Sequence, residues 1–336
     1  MKRNMKQWME ELRTAPVKKA LPILSFPAVQ KMGISVKELI SDSDLQAKAM
    51  KLVADSTDSA AAVSLMDLSV EAECFGATIH ITDSEVPTVI GQLIHDEDEA
   101  NELEVPAFGT ARSGLYVESL QKSLELITDR PVLAGMIGPF SLAARLLDVT
   151  EIMMDCYDEP DMVHTVLEKT TAFLIEYAKA YKAIGANGIM MAEPVAGMLS
   201  PMLEEEFSAP YVKQIVDAVQ DDEFAVIYHN CGDNVVRMID SILTTGAMAY
   251  HFGNSIDMAD MLPHIPADTV AMGNVDPAGE FMNGTPESIR QATLSVMEKC
   301  CGYQNLVISS GCDIPPSASW ANIDAFFGAV KEFYQG

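Results

Sequence analysis

Phe224-Ala225-Val226-Ile227-Tyr228-His229-Asn230-Cys231-Gly232-Asp233-Asn234, followed by the amphipathic stretch Val235–Leu243, is the unit on which the fold turns. A short apolar run is cut by a Gly/Asn/Asp segment, and a helical pattern then resumes. The same rhythm recurs along the chain. Its short apolar runs are Pro22–Phe26, Ala61–Met66, Val132–Ile137, Gly188–Ala192, Phe224–Tyr228, Ala247–Tyr250, Thr269–Met272 and Asn305–Ile308. The clearest amphipathic stretches are Leu45–Ala54, Met162–Ile184, Leu203–Val219, Val235–Leu243, Pro286–Cys300 and Ala321–Phe333. Strands alternating with helices pair in parallel. Eight such units predict an α/β chain closed into a (β/α)8 TIM barrel, with a doubly wound open sheet as the other arrangement. The expected organisation is a single domain over residues 1–336, with an N-terminal helical segment at 1–20. An insertion at about 77–115 follows the second strand. There the rhythm gives way to extended pieces and turns, with Pro87, Pro106 and the acidic run Asp96–Glu99.

The 336 residues carry 22 Lys+Arg against 49 Asp+Glu, a formal charge of −27. Seven arginines spread along such a chain make no basic stripe, which argues against nucleic acid and against anionic membranes. No apolar run is long enough for a membrane span, and the basic N-terminus runs into Glu10 and Glu11 rather than a signal-peptide core. Six cysteines are too few for a disulfide scaffold and read as reduced thiols of a cytoplasmic protein. The 21 methionines read as core filler.

Side chains alternate along a strand, so His229 and Cys231 point the same way from the C-terminal end of theirs. Barrel active sites lie at that end. Cys312, in Ser309-Ser310-Gly311-Cys312-Asp313, follows the last strand and occupies the equivalent place. One His and two Cys converging on one face make an open zinc site with a free fourth position. The competing reading is three packed core residues, since cysteine is commonly buried. Cys74, Cys156, Cys300 and Cys301 read as structural, and His80, His95, His164 and His264 as surface or loop residues. Asp67 and Glu193 end strands and either bind substrate or cap the next helix. His251 and Asn254, after the strand Ala247–Tyr250, are read as further substrate-binding residues. Asp276 before Pro277 reads as a helix cap.

Four segments carry a family resemblance: Leu65-Met66-Asp67-Leu68 with Gly76, Glu193-Pro194 with Leu199-Ser200-Pro201, Gly273-Asn274-Val275-Asp276-Pro277, and Gly311-Cys312-Asp313-Ile314-Pro315-Pro316. Through them the chain resembles the uroporphyrinogen decarboxylase superfamily over essentially its full length. That resemblance implies a distorted (β/α)8 barrel with its pocket at the C-terminal mouth. The decarboxylase branch grips its tetrapyrrole with an Arg-Gln-Ala-Gly-Arg segment. The matching stretch here, Phe26-Pro27-Ala28-Val29-Gln30-Lys31-Met32-Gly33, has neither arginine. The cobalamin-dependent methyltransferase branch, such as the methylcobalamin:coenzyme M methyltransferases, is similar at Met66–Glu73 and at His229, Cys231 and Cys312. The likeness implies that these three residues bind zinc and carry the catalysis. It implies methyl transfer from methylcobalamin, delivered on a small corrinoid protein, to a thiol such as coenzyme M. Alternatives are transfer to tetrahydrofolate or homocysteine, tetrapyrrole decarboxylation, or corrinoid binding without turnover. Some relatives add a carboxylate as fourth zinc ligand. No Glu stands at that place here, which leaves water, His251 or a more distant carboxylate, and leaves Lys31 or Arg112 as cations for a sulfonate.

Overall fold

The computed structural model describes residues 2–335; Met1 and Gly336, the ends of the expected 1–336 domain, lie outside the described residues. The described residues form nine strands: β1 Ala62–Val63, β2 Thr78–His80, β3 Thr88–Ile90, β4 Val132–Ile137, β5 Gly188–Ala192, β6 Ala225–Asn230, β7 Ala249–Phe252, β8 Val270–Val275 and β9 Leu306–Ser310. Seven make one sheet in the order β1-β4-β5-β6-β7-β8-β9, every pair parallel. The strands are buried on both faces, which is why they read as continuous apolar runs. β2 and β3 form a separate antiparallel hairpin between β1 and β4.

The run Pro22–Phe26, expected as the first strand, forms none. Pro22 has no N–H to give to a ladder, and Pro27 opens the short helix Ala28–Met32. The segment nevertheless spans the space between the two sheet edges. Leu21 N donates to Ile308 O of β9, and Ala60 N beside β1 donates to Ala20 O at 2.8 Å. Leu21 and Ile23 pack in one buried cluster with Leu133, Met190, Ile227, Met272 and Val307, every second residue of their strands. The sheet is therefore curled around its own side chains.

The helix Met5–Thr14 lies within the region expected to be helical at 1–20. It adds Met5, Met9 and Leu12 to the same cluster, and Met5 N donates to Asp222 O below β6. The other face of the sheet is covered by helices, among them Ser43–Ser56, Ser113–Leu126, Pro160–Ala183, Val235–Thr244, Pro286–Lys299 and Trp320–Gln335. The stretch Leu203–Val219, read as one helix, is two, Pro201–Phe207 and Ala209–Val219. Pro210 cannot donate to the preceding turn, so the chain breaks at Ser208 and restarts. No described helix is long and apolar enough to cross a membrane.

Candidate metal centre

β6 and β9 stand three places apart in the sheet, which would separate them by about 14 Å if it were flat. Yet the ligand atoms of His229 on β6, Cys231 just beyond it and Cys312 just beyond β9 all lie within 4.8 Å of one another. Only the curl of the sheet can bring them together, and it does so at the C-terminal ends of the strands. Local backbone space helps. A Cβ on Gly253 would come within 2.5 Å of Cys231 Cα, and one on Gly232 within 2.4 Å of Gly197 Cα. Glycine at both places lets the loop after β6 fold tightly against its neighbours.

The donor set has the character of a zinc site. Both cysteines are half-buried as residues, and His229 is buried. The Nδ1 of His229 faces the Nδ1 of His251 at 2.8 Å, while its buried Nε2 has no hydrogen-bond partner. An orphaned ring nitrogen beside two thiols fits a borderline-soft cation. The Cys231 thiol is pulled down to about 4, first by the hydrogen bond from Cys312 and further by the His229 imidazole, against the cost of burial. The same bond, with burial, pushes Cys312 up. The two sulfurs thus shift each other in opposite directions, Cys231 down and Cys312 up.

His229 and Cys312 open on a cavity of about 510 Å³. Its walls are the strand-end residues Met66 and Ala192, the hairpin residues Ser84–Val89, Cys312 and Asp313 with Pro315–Ser317, and Arg145 from the helix Pro139–Leu147. The four residues read from sequence as substrate-binding are not in that wall. Asp67 is buried, and its carboxylate accepts from the Tyr116 hydroxyl at 2.6 Å, from Arg112 and from Ser69. Glu193 accepts from Phe140 N and Ser141 N at 2.9 and 2.8 Å, capping the helix after β4 instead of its own. Burial pushes its carboxyl up to about 7. His251 sits behind His229 with its Nε2 2.7 Å from Ser309 Oγ, so neither ring nitrogen is free for substrate or for a fourth metal position. Asn254 is exposed beside Gly311, outside this cavity. Asp276 caps as expected, accepting from Ala278 N and Gly279 N.

Two wall residues were not singled out from the sequence. Asp313 is held by the strand-end turn that carries Cys312, and its Oδ1 is buried without a partner. Arg145 lies six residues past Pro139 on the helix after β4. A basic residue on the first helix after a strand end was the signal that could have found it.

The uroporphyrinogen decarboxylase (URO-D) family model matches residues 12–333. The chain belongs to the uroporphyrinogen decarboxylase family. Relatives in the URO-D family carry two kinds of name at the same similarity. The methylcobamide:CoM methyltransferase MtbA of Methanosarcina acetivorans is 27% identical over 271 residues, covering 80% of this chain and 78% of that one. A uroporphyrinogen decarboxylase of Coxiella burnetii is 27% identical over 285 residues, covering 81% and 77%. Among solved structures, a methyltransferase from Methanosarcina mazei superposes with a TM-score of 0.86 at 23% identity, covering 98% of both chains. A B12-independent methionine synthase from Shewanella shares the fold at a TM-score of 0.61 and 12% identity.

Proposed function

We propose that this URO-D family member is a methyltransferase that moves a methyl group from a methylated corrinoid, carried on a small partner protein, to a thiol acceptor such as coenzyme M. The observation that carries the reading is the convergence of His229, Cys231 and Cys312 within 4.8 Å at the edge of a cavity. The MtbA relatives, named for methylcobamide:CoM transfer, support it. His229 through Nε2, with Cys231 and Cys312 through sulfur, would hold zinc. When bound, zinc supplies the Lewis acidity that keeps an acceptor thiol deprotonated at neutral pH.

The chain's own residues do the rest. His251 and Ser309 keep the His229 ring oriented. The hairpin residues Val86, Pro87 and Val89 and the segment Pro315–Pro316 line the cavity with apolar surface. A methylated corrinoid brought to the cavity mouth would supply the methyl group to the acceptor sulfur, and the bonding pair would stay with the corrinoid. We take residues 20–26 to fill the place of an eighth strand, closing one barrel domain with the hairpin as an inserted lid, and place the free thiols in the cytoplasm.

The test is metal analysis together with turnover. The purified protein should hold about one zinc, and Cys231→Ser should lose it. Methylcobalamin with a panel of thiols, homocysteine and tetrahydrofolate should show the spectral change to cob(I)alamin or cob(II)alamin. A protein that binds no zinc and demethylates nothing, but shortens the carboxylate count of uroporphyrinogen, would place it with the decarboxylases.

A further inference from the structure

Lys31 and Arg112, the cations expected for an anionic acceptor, are both committed elsewhere. Lys31 stands 3.5 Å over the Trp320 ring. Arg112 is tied to Asp67, Glu73 and Ser69. Arg145 is different. It lines the cavity that His229 and Cys312 share, its Nε is buried, and that Nε has no hydrogen-bond partner. No ion pair reaches its guanidinium from any described residue, including the two acids of the same wall, Glu85 and Asp313. Burial is the sole influence on its charge, with no carboxylate to offset it. A guanidinium stays protonated at any relevant pH and presents five donors in a rigid fork. Arg145 is half-buried with its Nε buried and unpartnered, so an anion in this cavity would meet a guanidinium that no protein carboxylate neutralises.

We propose that Arg145 is the anion anchor of the acceptor: a small thiol places its sulfur at His229, Cys231 and Cys312, and the sulfonate, carboxylate or phosphate at its other end on the Arg145 guanidinium. The thiol half rests on the methyl-transfer reading, whereas the anion half stands on the cavity alone. The cavity volume suits a small molecule rather than a macromolecular segment. In a chain of net charge −27, an anion entering this mouth requires a local cation. Among the wall residues of this cavity only Arg145 supplies one.

The experiment compares wild type with Arg145→Gln and Arg145→Lys. Calorimetric titration with ethanesulfonate, without thiol or corrinoid, should show binding that weakens about 10- to 100-fold in Arg145→Gln, the range of a charge-assisted hydrogen bond, and less in Arg145→Lys. With methylcobalamin as donor, the ratio of kcat/KM for 2-mercaptoethanesulfonate over 2-mercaptoethanol should fall by a similar factor. Arg145→Gln should melt close to wild type, because Arg145 is half-buried and makes no ion pair that the variant would break. Equal ethanesulfonate binding by wild type and Arg145→Gln, or none by wild type, overturns the proposal. So does an unchanged thiol ratio, the result expected if Arg145 gripped the corrinoid phosphate instead. Failure to methylate any thiol would remove the methyl-transfer reading, and the calorimetry would still decide the anion site.

Discussion

The Nδ1 atoms of His229 and His251 lie 2.8 Å apart, and this contact decides which nitrogen of His229 faces the cysteines. Ser309 Oγ donates its one proton to Leu21 O at 2.7 Å, so it accepts from His251 Nε2, also at 2.7 Å. Burial keeps His251 neutral, pushing it well below the usual imidazole range. Its Nδ1 is then bare and accepts from His229 Nδ1–H. The lone pair of His229 is left on Nε2, toward the sulfurs. The chain of bonds ends on the segment that spans the sheet edges, so closure of the sheet and tautomer of the ligand are one structural fact.

Breaking that chain should loosen the metal without removing a ligand. Ser309→Ala frees His251 to adopt either tautomer, and His251→Gln removes the acceptor for His229 Nδ1. Each is expected to weaken zinc about 10- to 100-fold in a chelator competition, while the zinc stoichiometry at saturation stays at one. Affinities equal to wild type in both variants would show that the network is idle.

The zinc-free thiols should differ sharply in reactivity. With Cys231 pulled below the usual thiol range by its neighbours, its alkylation by iodoacetamide should outpace that of the buried thiols at pH 6. Burial pushes Cys74 and Cys300 up to about 11 and Cys156 up to about 12, so those thiols should stay unmodified. Cys312→Ser replaces the sulfur that donates to Cys231 and should slow its alkylation at pH 6. Mass-spectrometric mapping of labelled peptides gives the answer, and uniform labelling would contradict the geometry.

Arg112 closes a buried cluster under the cavity floor. Its Nε meets Glu73 at 2.7 Å, its Nη2 meets Ser69 Oγ at 2.9 Å and its Nη1 reaches Asp67, whose side chain is fully buried. Arg112→Met strands the Asp67 charge and should cost about 3–5 kcal/mol in denaturant unfolding. The double variant Asp67→Asn/Arg112→Met removes both charges and should recover most of that loss. If the single and double variants lost equal stability, the pair would not be coupled.

Much of this was legible in the chain. Val132–Ile137 and Gly188–Ala192 are strands at the bounds their apolar runs predict, since full burial on both faces leaves an uninterrupted apolar signature. His229, Cys231 and Cys312 were legible because Gly/Asn/Asp breaks mark strand ends. Pro22–Phe26 misled because hydrophobicity reports burial, whereas a strand also needs N–H donors that Pro22 lacks. Asp67, Glu193 and Asn254 lie outside the cavity wall for a different reason. A strand end fixes height in a barrel, but the side to which the next residue turns depends on neighbours distant in sequence, such as Arg112 and the helix Pro139–Leu147. For Arg145 the local signal, a basic residue on the helix after a strand end, marks its place near the mouth but not that it lacks a partner.

Glu71 offers the clearest pH test of the core beneath the site. It is buried, its Oε1 accepts from Ile137 N at 3.1 Å, and its Oε2 has no partner. Burial pushes its carboxyl up to about 8 from an ordinary 4.5. Between those two values the folded protein holds a proton that the unfolded chain has released. Stability from this group is therefore fully present below about pH 4.5 and is lost as pH rises toward 8, at up to about 1.4 kcal/mol per pH unit. Glu71→Gln keeps an oxygen for Ile137 N–H and has nothing to ionise. The stability of Glu71→Gln relative to wild type should grow by about 2 kcal/mol or more between pH 5 and pH 8, measured by urea unfolding at each pH. A difference that stays constant over that range would mean that Glu71 ionises as freely in the folded protein as in the unfolded chain.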